Sequence, residues 1–166
     1  MQSDLTTLPN GLRIISASRP GTESVSLGIW INTGSAREEE EINGLSHFLE
    51  HMVFKGTPTR TSFQIDAEIE DAGGQTNAYT SREITSFYAK MLKDDAELAL
   101  DVLADIVLNA SFPDEEVVKE RDVVIQEIKQ TIDTPDDIIF DYLQQQAYAG
   151  QPLGRPILGS IEKVSG

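Results

Sequence analysis

The sequence of 166 residues contains no cysteine and only two histidines. A chain without cysteine forms no disulfide and no thiolate metal site, so any zinc site in it must use histidine, aspartate or glutamate. No apolar run approaches the roughly 18 residues of a membrane-spanning helix, which argues against membrane insertion. Basic residues are also scarce, because 13 Lys and Arg against 28 Asp and Glu give a formal net charge of −15. That charge repels nucleic-acid phosphates and is compatible with basic ligands.

The composition is 39% hydrophobic and 25% charged, which is ordinary for a soluble globular domain of this length. The first residues, MQSDLTTLPNGLRII, have neither the basic start and apolar core of a secretory signal nor the Arg-rich character of a transit peptide. We therefore expect a cytoplasmic bacterial protein, with a processed form in the mitochondrial matrix as the alternative.

Apolar periodicity predicts an α+β fold, in which a two-layer sandwich packs helices on a mostly antiparallel sheet. Asn10-Gly11 predicts a hairpin, and the apolar alternation from Val25 to Ile31 predicts a half-buried strand. Residues 75–92 are expected to form two strands or one long bent strand. The predicted order is β, β, α, α, β, β, α, α, α, in a single domain over residues 1–166.

Helical spacing predicts a helix that has Ser62 as its N-cap and makes apolar contacts through Phe63, Ile65 and Ile69. A later helix is expected to contribute the core residues Ala99, Val102, Leu103, Ile106 and Val107. Another begins near Pro113 with acids in its first turn, and the next lies in residues 135–150. The acidic run at 37–41 is expected to be a solvated loop.

Both histidines lie in one short stretch, GLSHFLEHMVFKGT, at residues 44–57. In a helix of about 3.6 residues per turn, His47, Glu50 and His51 project from one face. Imidazoles at i and i+4 can bind one Zn²⁺, while the glutamate between them is placed to act on water at the metal. The order H-x-x-E-H reverses the zincin motif and is called the inverzincin motif. So short a pattern also occurs by chance, and alone it leaves a metal site and a coincidence equally open.

Two histidines leave a zinc ion short of a third protein ligand, which in this chain must be an aspartate or a glutamate. Glu120 and Glu127 lie seven residues apart on a predicted helix, close to one face and beside its apolar side. A carboxylate that borders a buried side needs a partner, and a metal ion would be one. The alternative is that these glutamates simply face solvent on an acidic helix, and spacing alone favours it.

Several longer segments carry a resemblance to a known family. They are NGLRII, GLSHFLEHMVFKGT, GGQTNAYTSRE, the Glu120 to Glu127 spacing with VIQEI, and FDYLQQQAYAGQPLGRPILG. Together they resemble the pitrilysin-type zinc metallopeptidases, the inverzincin or M16 family, and within it the processing peptidases of mitochondria and their bacterial relatives. The resemblance covers nearly the whole chain.

The resemblance implies a zinc-dependent endopeptidase that cleaves extended, Arg-containing peptides. His47, His51 and Glu127 would then bind zinc. Glu120 would orient one of the two histidines by accepting its free ring N–H. Glu50 would be the general base, which takes a proton from water at the metal and later delivers it to the leaving amine.

The same resemblance implies residues that bind the substrate. Asn77, Ala78 and Tyr79 match an edge strand beside the zinc, to which an extended peptide adds as another strand. Phe54 matches an aromatic side chain that shapes the pocket just after the cleaved bond. An ordinary strand and plain helix packing are the respective alternatives.

Asp137 and Asp141 lie at i and i+4 on a predicted helix, where like charges destabilise the helix by a few tenths of a kcal/mol. A bound cation would relieve that repulsion. In the family that the chain resembles, acids at these places receive an arginine just upstream of the cleaved bond, although a longer glutamate usually stands where this chain has Asp137. A solvated acidic face is the alternative.

Family subunits consist of two homologous halves that enclose the substrate, and this chain resembles the N-terminal half. We therefore expect a fragment that needs its second half or a partner subunit, in a homodimer or heterodimer, and is weakly active or inactive alone. The alternative function is a non-catalytic homologue that acts as a scaffold or peptide-binding subunit. The intact candidate ligands argue against it. A third hypothesis is a metal enzyme of unrelated fold that contains iron or copper.

Overall fold

A computed structural model describes residues 3–166 of the chain. The strands are β1 (Ser3–Thr7), β2 (Arg13–Ala17), β3 (Ser24–Ile31), β4 (Gln75–Thr80) and β5 (Thr85–Leu92). The helices are α1 (Leu45–Met52), α2 (Ser62–Asp71), α3 (Ala96–Asn109), α4 (Asp114–Asp133), α5 (Pro135–Ala147) and α6 (Ile161–Ser165). The fold is α+β, as predicted, and none of the helices in this part of the chain is long and apolar enough to cross a bilayer.

The strands form two separate antiparallel ladders. β3, β5 and β4 lie in that order in a three-stranded sheet, with β5 in the centre and β4 at an edge. β1 and β2 form the predicted hairpin around Asn10-Gly11, and every residue of both strands is exposed. The predicted order contained one strand too few before α1 because the hairpin contributes two strands. It also lacked α6, whose five residues are too few to produce a periodic signal.

The core lies between the three-stranded sheet and the helices α2 and α3. β5 is central and contributes Phe87, Ala89 and Met91, which alternate on one face of the strand. The core positions predicted for α3 are confirmed: Ala99, Val102, Leu103 and Ile106 are fully buried, and Val107 is half-buried. The two apolar patterns predicted from the sequence, on β3 and on α3, thus both face this core.

The start of α2 differs from the prediction. The N-cap is Thr61, whose Oγ1 accepts the Gln64 N–H at 3.3 Å, while Oε1 of Gln64 accepts the Thr61 N–H at 2.9 Å. This reciprocal capping box leaves Ser62 as the first helical residue. The contacts predicted for Phe63 are also wrong, because it is 80% exposed. Two residues correspond to about 200° of helix rotation, so Phe63 points away from the face that buries Ile65.

The segment that follows α1 is held against α3 by hydrogen bonds to one buried carboxylate. Asp105 on α3 is 7% exposed and accepts hydrogen bonds from Arg60 Nη1 at 2.9 Å and Thr57 Oγ1 at 2.8 Å. Thr59 and Asn109 donate to the same carboxylate at 2.9 Å each. Burial alone would raise the pKa of Asp105, but these hydrogen bonds hold it well below its usual range. The path of the chain directly behind α1 therefore depends on an ionised Asp105.

Asp105→Asn should destabilise the protein by about 3 kcal/mol, because the partly buried Arg60 guanidinium loses its most buried counter-charge. Asp101→Asn is the matched control. Asp101 also pairs with Arg60, but its side chain is 68% exposed, so its loss should cost less than about 1 kcal/mol. Urea unfolding near neutral pH measures both, and equal costs would contradict the role given to Asp105.

The same carboxylate sets an acid dependence of stability. Its folded-state pKa lies below the ordinary value of 3.8, so the folded protein binds this proton less readily than the unfolded chain. The contribution of Asp105 to the free energy of unfolding is therefore complete at pH values above 3.8 and is lost as the pH falls below 3.8. Unfolding measured between about pH 5 and about pH 2 should depend less steeply on pH in Asp105→Asn. Identical slopes would mean that Asp105 is not held ionised.

Candidate metal centre

An acidic side chain caps the helix that carries both histidines. The N–H groups of Gly44 and Ser46 donate to the two carboxylate oxygens of Glu38, at 2.8 and 2.6 Å. A carboxylate satisfies free amides at a helix N-terminus and suits the positive end of the helix dipole. Gly44 has a φ of 106°, and a Cβ there would lie 2.7 Å from the Leu158 carbonyl oxygen, so this turn requires glycine. The prediction of a solvated loop at 37–41 is therefore wrong for the half-buried Glu38.

His47 and His51 project from one face of α1 toward Glu127 on α4. The Nε2 atom of each ring lies 3.5 Å from Oε2 of Glu127. The two ring centroids are 4.8 Å apart, and one potential ligand atom from each of the three residues lies within 4.8 Å of the others. The structure thus brings together the three side chains that were predicted to bind zinc.

This arrangement fits a small divalent cation. Ligand atoms at about 2.0–2.1 Å from a tetrahedral zinc ion lie about 3.3 Å from one another, close to the observed 3.5 Å between each Nε2 and the carboxylate oxygen. Two imidazoles and one carboxylate form a ligand set of catalytic zinc sites, which keep a further position for water or substrate. The Glu127 side chain is 39% exposed, so this group of three side chains is partly open to solvent.

His47 is in the protonation state that a metal requires. Burial, followed by the proximity of His51, lowers the pKa of His47 from 6.5 to about 4. The ring is therefore neutral at neutral pH and keeps a free lone pair. Its Nδ1 is buried without a hydrogen-bond partner in residues 3–166, whereas its Nε2 faces Glu127.

Glu50 lies between the two histidines on the same face of α1. Its Oε2 atom is buried, and none of the described residues offers it a hydrogen bond. Burial also raises the pKa of Glu50 above its ordinary value, although hydrogen bonds from the neighbouring Thr80 act in the opposite direction. Buried polar atoms without a partner cost free energy, so this oxygen is placed to meet a water molecule or a ligand. Glu50 is thus a free proton acceptor beside the three candidate ligands.

Glu120 connects His51 to a lysine. Oε2 of Glu120 lies 3.0 Å from His51 Nδ1, and Oε1 accepts a hydrogen bond from Lys55 Nζ at 2.6 Å. Burial alone would raise the pKa of Glu120, but the hydrogen bonds from Lys55 and His51 lower it. Glu120 was expected to contact one of the two histidines and lies beside His51, whereas its contact with Lys55 was not predicted. The spacing of four residues between His51 and Lys55 is a signal that could have found it.

β4 lies at the edge of its sheet and packs against α1. Asn77, Ala78 and Tyr79 lie in the middle of this strand, and Asn77 and Tyr79 are exposed. The N–H of Ala78 donates to the side-chain oxygen of its neighbour Asn77 at 2.8 Å. The strand therefore has an open edge beside the candidate metal centre.

Phe54 lies in the short 3₁₀ turn Val53–Lys55 that continues α1. It is half-buried and packs against the core, with its ring centroid 6.3 Å from that of Phe87. This contact is the plain packing that was the alternative to a role of Phe54 in shaping the substrate pocket.

Asp141 on α5 already has a cation as its partner. Arg82, in the turn between β4 and β5, donates to Oδ1 of Asp141 at 3.0 Å and to the Leu153 carbonyl at 3.0 Å. Asp137 is exposed one turn earlier on the same helix. The repulsion between the two acids is thus relieved within the chain itself, so it is not by itself a sign of a bound arginine.

Two imidazoles, a carboxylate from a second helix and a free glutamate define the kind of site found in zinc-dependent hydrolases. The sequence model of the family described as Insulinase (Peptidase family M16) matches residues 13–161. The chain therefore belongs to this family of peptidases, as the resemblance predicted.

Two relatives illustrate the match. The chain is 48% identical over 159 residues to a Bacillus subtilis protein named as the zinc protease YmxG; the match covers 96% of this chain and 39% of that protein. It is 46% identical over 163 residues to the probable mitochondrial-processing peptidase subunit beta of Arabidopsis thaliana, covering 98% of this chain and 31% of that protein. The chain thus spans well under half the length of these relatives.

Solved structures share the fold. A protease from Helicobacter pylori superimposes with a TM-score of 0.93 at 25% identity, over 99% of this chain and 40% of that one. The M16 inactive domain from Pseudomonas fluorescens gives a TM-score of 0.89 over the same shares of the two chains, but at 14% identity it shows the fold alone.

The protonation state of His47 can be measured directly in the metal-free protein. In a proton NMR titration, the ring resonance that is missing from His47→Gln should change with a midpoint near 4, against 6.5 for an ordinary histidine. Because the folded-state pKa is lowered, the unfolded chain binds a proton at His47 more readily than the folded protein does. The metal-free fold should therefore lose stability as the pH falls from about 6.5 to about 4. The same chain in urea is the control, and a midpoint near 6.5 in the folded protein would contradict the buried environment.

Proposed function

We propose that the chain is the zinc-binding and catalytic part of an endopeptidase of the processing-peptidase type. The observation that carries the proposal is the convergence of two imidazole Nε2 atoms on Oε2 of Glu127, beside the partnerless carboxylate oxygen of Glu50. His47, His51 and Glu127 hold the zinc ion. When bound, zinc supplies a Lewis acid that polarises the substrate carbonyl and lowers the pKa of water.

Glu50 acts as the general base and then as the general acid. Its Oε2 takes a proton from the attacking water and later transfers it to the nitrogen of the leaving amine. The raised pKa of Glu50 suits the first step, because the carboxylate accepts a proton more readily than an exposed glutamate does. Glu120 accepts the Nδ1–H of His51 and so leaves the Nε2 lone pair of that ring free for the metal.

The substrate is an extended peptide that adds to the open edge of β4. Main-chain hydrogen bonds to the segment Asn77, Ala78 and Tyr79 would align the peptide beside the centre. Asn77 must then release the N–H of Ala78, because its side chain occupies that donor in the free protein. Phe54, which is half-buried, would border the position just after the cleaved bond.

The full activity requires protein beyond this chain, from a second homologous half or from a partner subunit in a dimer. The two relatives described above extend well beyond the matched segment, which covers 39% and 31% of their respective lengths. Large apolar side chains are exposed on the hairpin and on α5, including Leu5, Ile15, Phe140 and Leu143. Exposed apolar surface of this kind commonly marks an interface. A cytoplasmic location, with the mitochondrial matrix as the alternative, belongs to this proposal.

Substitution of the proposed base should separate metal binding from chemistry. Glu50→Gln should bind one zinc ion per chain as the parent does and lose at least about 10² in peptide cleavage, the typical share of general base catalysis. Glu127→Gln should lose zinc affinity itself. Zinc content by elemental analysis and cleavage of a fluorogenic peptide, with and without chelator, measure the two effects in a fusion of this chain to the remaining part of the Bacillus subtilis relative.

Cleavage by Glu50→Gln at the parent rate would contradict the role of Glu50. Zinc binding without any cleavage by the unsubstituted fusion would instead favour the alternative function, a peptide-binding or scaffold subunit.

The proposed preference for arginine depends on Asp137 and Asp141. Two peptides that differ only in Arg or Ala upstream of the cleaved bond should be cleaved at different rates, and Asp141→Asn should reduce the ratio by about tenfold, the worth of one charged hydrogen bond. Because Arg82 pairs with Asp141, Arg82→Gln should increase the ratio. Asp136→Asn, on the same helix turn, is the control. Equal rates for the two peptides in the parent protein would remove the arginine preference.

A further inference from the structure

Lys55 is connected to His51 through Glu120, on the side of the imidazole ring away from Glu127. It ends the 3₁₀ turn Val53–Lys55, four residues after His51. Its Nζ donates to Oε1 of Glu120 at 2.6 Å, while Oε2 of the same carboxylate lies 3.0 Å from His51 Nδ1. The exposed fraction is 24% for the Lys55 side chain and 9% for that of Glu120, so water competes little for this contact.

We propose that Lys55 is a positioning residue, which holds the Glu120 carboxylate against His51 and thereby directs the His51 Nε2 lone pair toward the zinc ion. The inference rests on the zinc binding proposed for His51 and adds a residue to which that function assigns no role. Lys55 itself touches neither the metal nor the substrate.

The two carboxylate oxygens of Glu120 have separate partners. Lys55 Nζ donates to Oε1, and His51 Nδ1 lies 3.0 Å from Oε2, so that together the two contacts fix the plane of the carboxylate. A charge-assisted hydrogen bond from an ammonium is among the stronger ones in proteins. Within residues 3–166 no other lysine or arginine forms an ion pair with Glu120. Loss of Lys55 therefore leaves Oε1 buried without a donor, and the carboxylate is free to turn away from His51.

The consequence for His51 concerns its tautomer. A neutral imidazole carries its proton on one nitrogen and its lone pair on the other. An acceptor held at Nδ1 keeps the proton there and leaves the lone pair on Nε2, which faces Glu127. Without a fixed acceptor the two tautomers compete, and part of the protein presents an N–H to the metal.

Charge alone predicts the opposite effect. Lys55 is a cation close to the position of a divalent cation, so its removal should strengthen metal binding if only Coulomb interactions matter. Positioning predicts that its removal weakens metal binding. The sign of the change in zinc affinity therefore distinguishes the two effects.

The experiment measures the zinc dissociation constant of this chain by competition with a chelating dye. Lys55→Met should raise the constant at least about tenfold, as is typical for residues behind a metal ligand. Lys55→Arg keeps a cationic donor and should stay within about threefold of the parent. Lys119→Met is the matched control, because Lys119 is next to Glu120 in the sequence but pairs with Glu116 at an exposed site. It should leave the zinc affinity unchanged.

A second readout follows the tautomer rather than the affinity. In the ¹⁵N spectrum of the labelled, metal-free protein, Lys55→Met should move the His51 proton from Nδ1 toward Nε2, where Glu127 is the competing acceptor at 3.5 Å. Lys55→Met should also have little further effect on zinc affinity in a Glu120→Gln background, since the lysine acts through that carboxylate. Thermal unfolding of the metal-free variants identifies any that fail to fold, and the Lys55→Arg and double-variant comparisons then carry the test.

Zinc affinity in Lys55→Met that equals or exceeds that of the parent, or an unchanged His51 tautomer, overturns the role of Lys55. Absence of zinc binding by the unsubstituted chain would instead contradict the proposed function. The two failures are therefore distinguishable.

Discussion

The packing of α1 against α4 is the constraint on which the candidate metal centre depends. α1 supplies two of the candidate ligands, His47 and His51, together with the proposed base Glu50. The third candidate ligand, Glu127, comes from a helix far along the chain. Val124 and Ile128 flank Glu127 in the sequence and are 0% and 6% exposed, so their burial fixes the rotation of α4. That rotation presents Glu120 and Glu127, two turns apart, to the histidine face of α1. Hydrophobic burial thus sets the rotation of α4, and polar contacts such as that of Lys55 with Glu120 then orient the individual side chains.

The charges around the two histidines also favour a divalent cation. Glu50, Glu120 and Glu127 contribute three negative charges when ionised, and Lys55 neutralises one of them. The two that remain match the charge of one divalent ion, so an ion here would balance carboxylates that lie close together in a partly buried site. The acidity of the whole chain, at −15, has no such local meaning for most of its residues. Its effect at this site comes from a few carboxylates that the fold brings together.

Residues with a repeating environment could be predicted from the sequence, and residues with a single long-range partner could not. The alternation from Val25 to Ile31 and the spacing of the α3 residues reveal their buried faces because periodicity is a local property. The H-x-x-E-H face is local in the same sense. The partners of Glu38, Lys55 and Asp141 depend on how separate elements pack. Nothing in the sequence distinguishes Glu38 from the three glutamates that follow it. Phe63 is different, because its place about 200° from Ile65 around the helix could have been read from the spacing alone.

X-ray absorption at the zinc edge of the zinc-loaded chain identifies the atoms bound to the ion. If His47, His51 and Glu127 hold zinc, the spectrum should show nitrogen and oxygen neighbours at about 2.0–2.1 Å, with the outer-shell scattering of two imidazole rings. Glu127→Gln should alter the inner shell while both imidazoles remain. A spectrum without imidazole scattering, or one that Glu127→Gln leaves unchanged, would contradict the claim that His47, His51 and Glu127 hold one ion together.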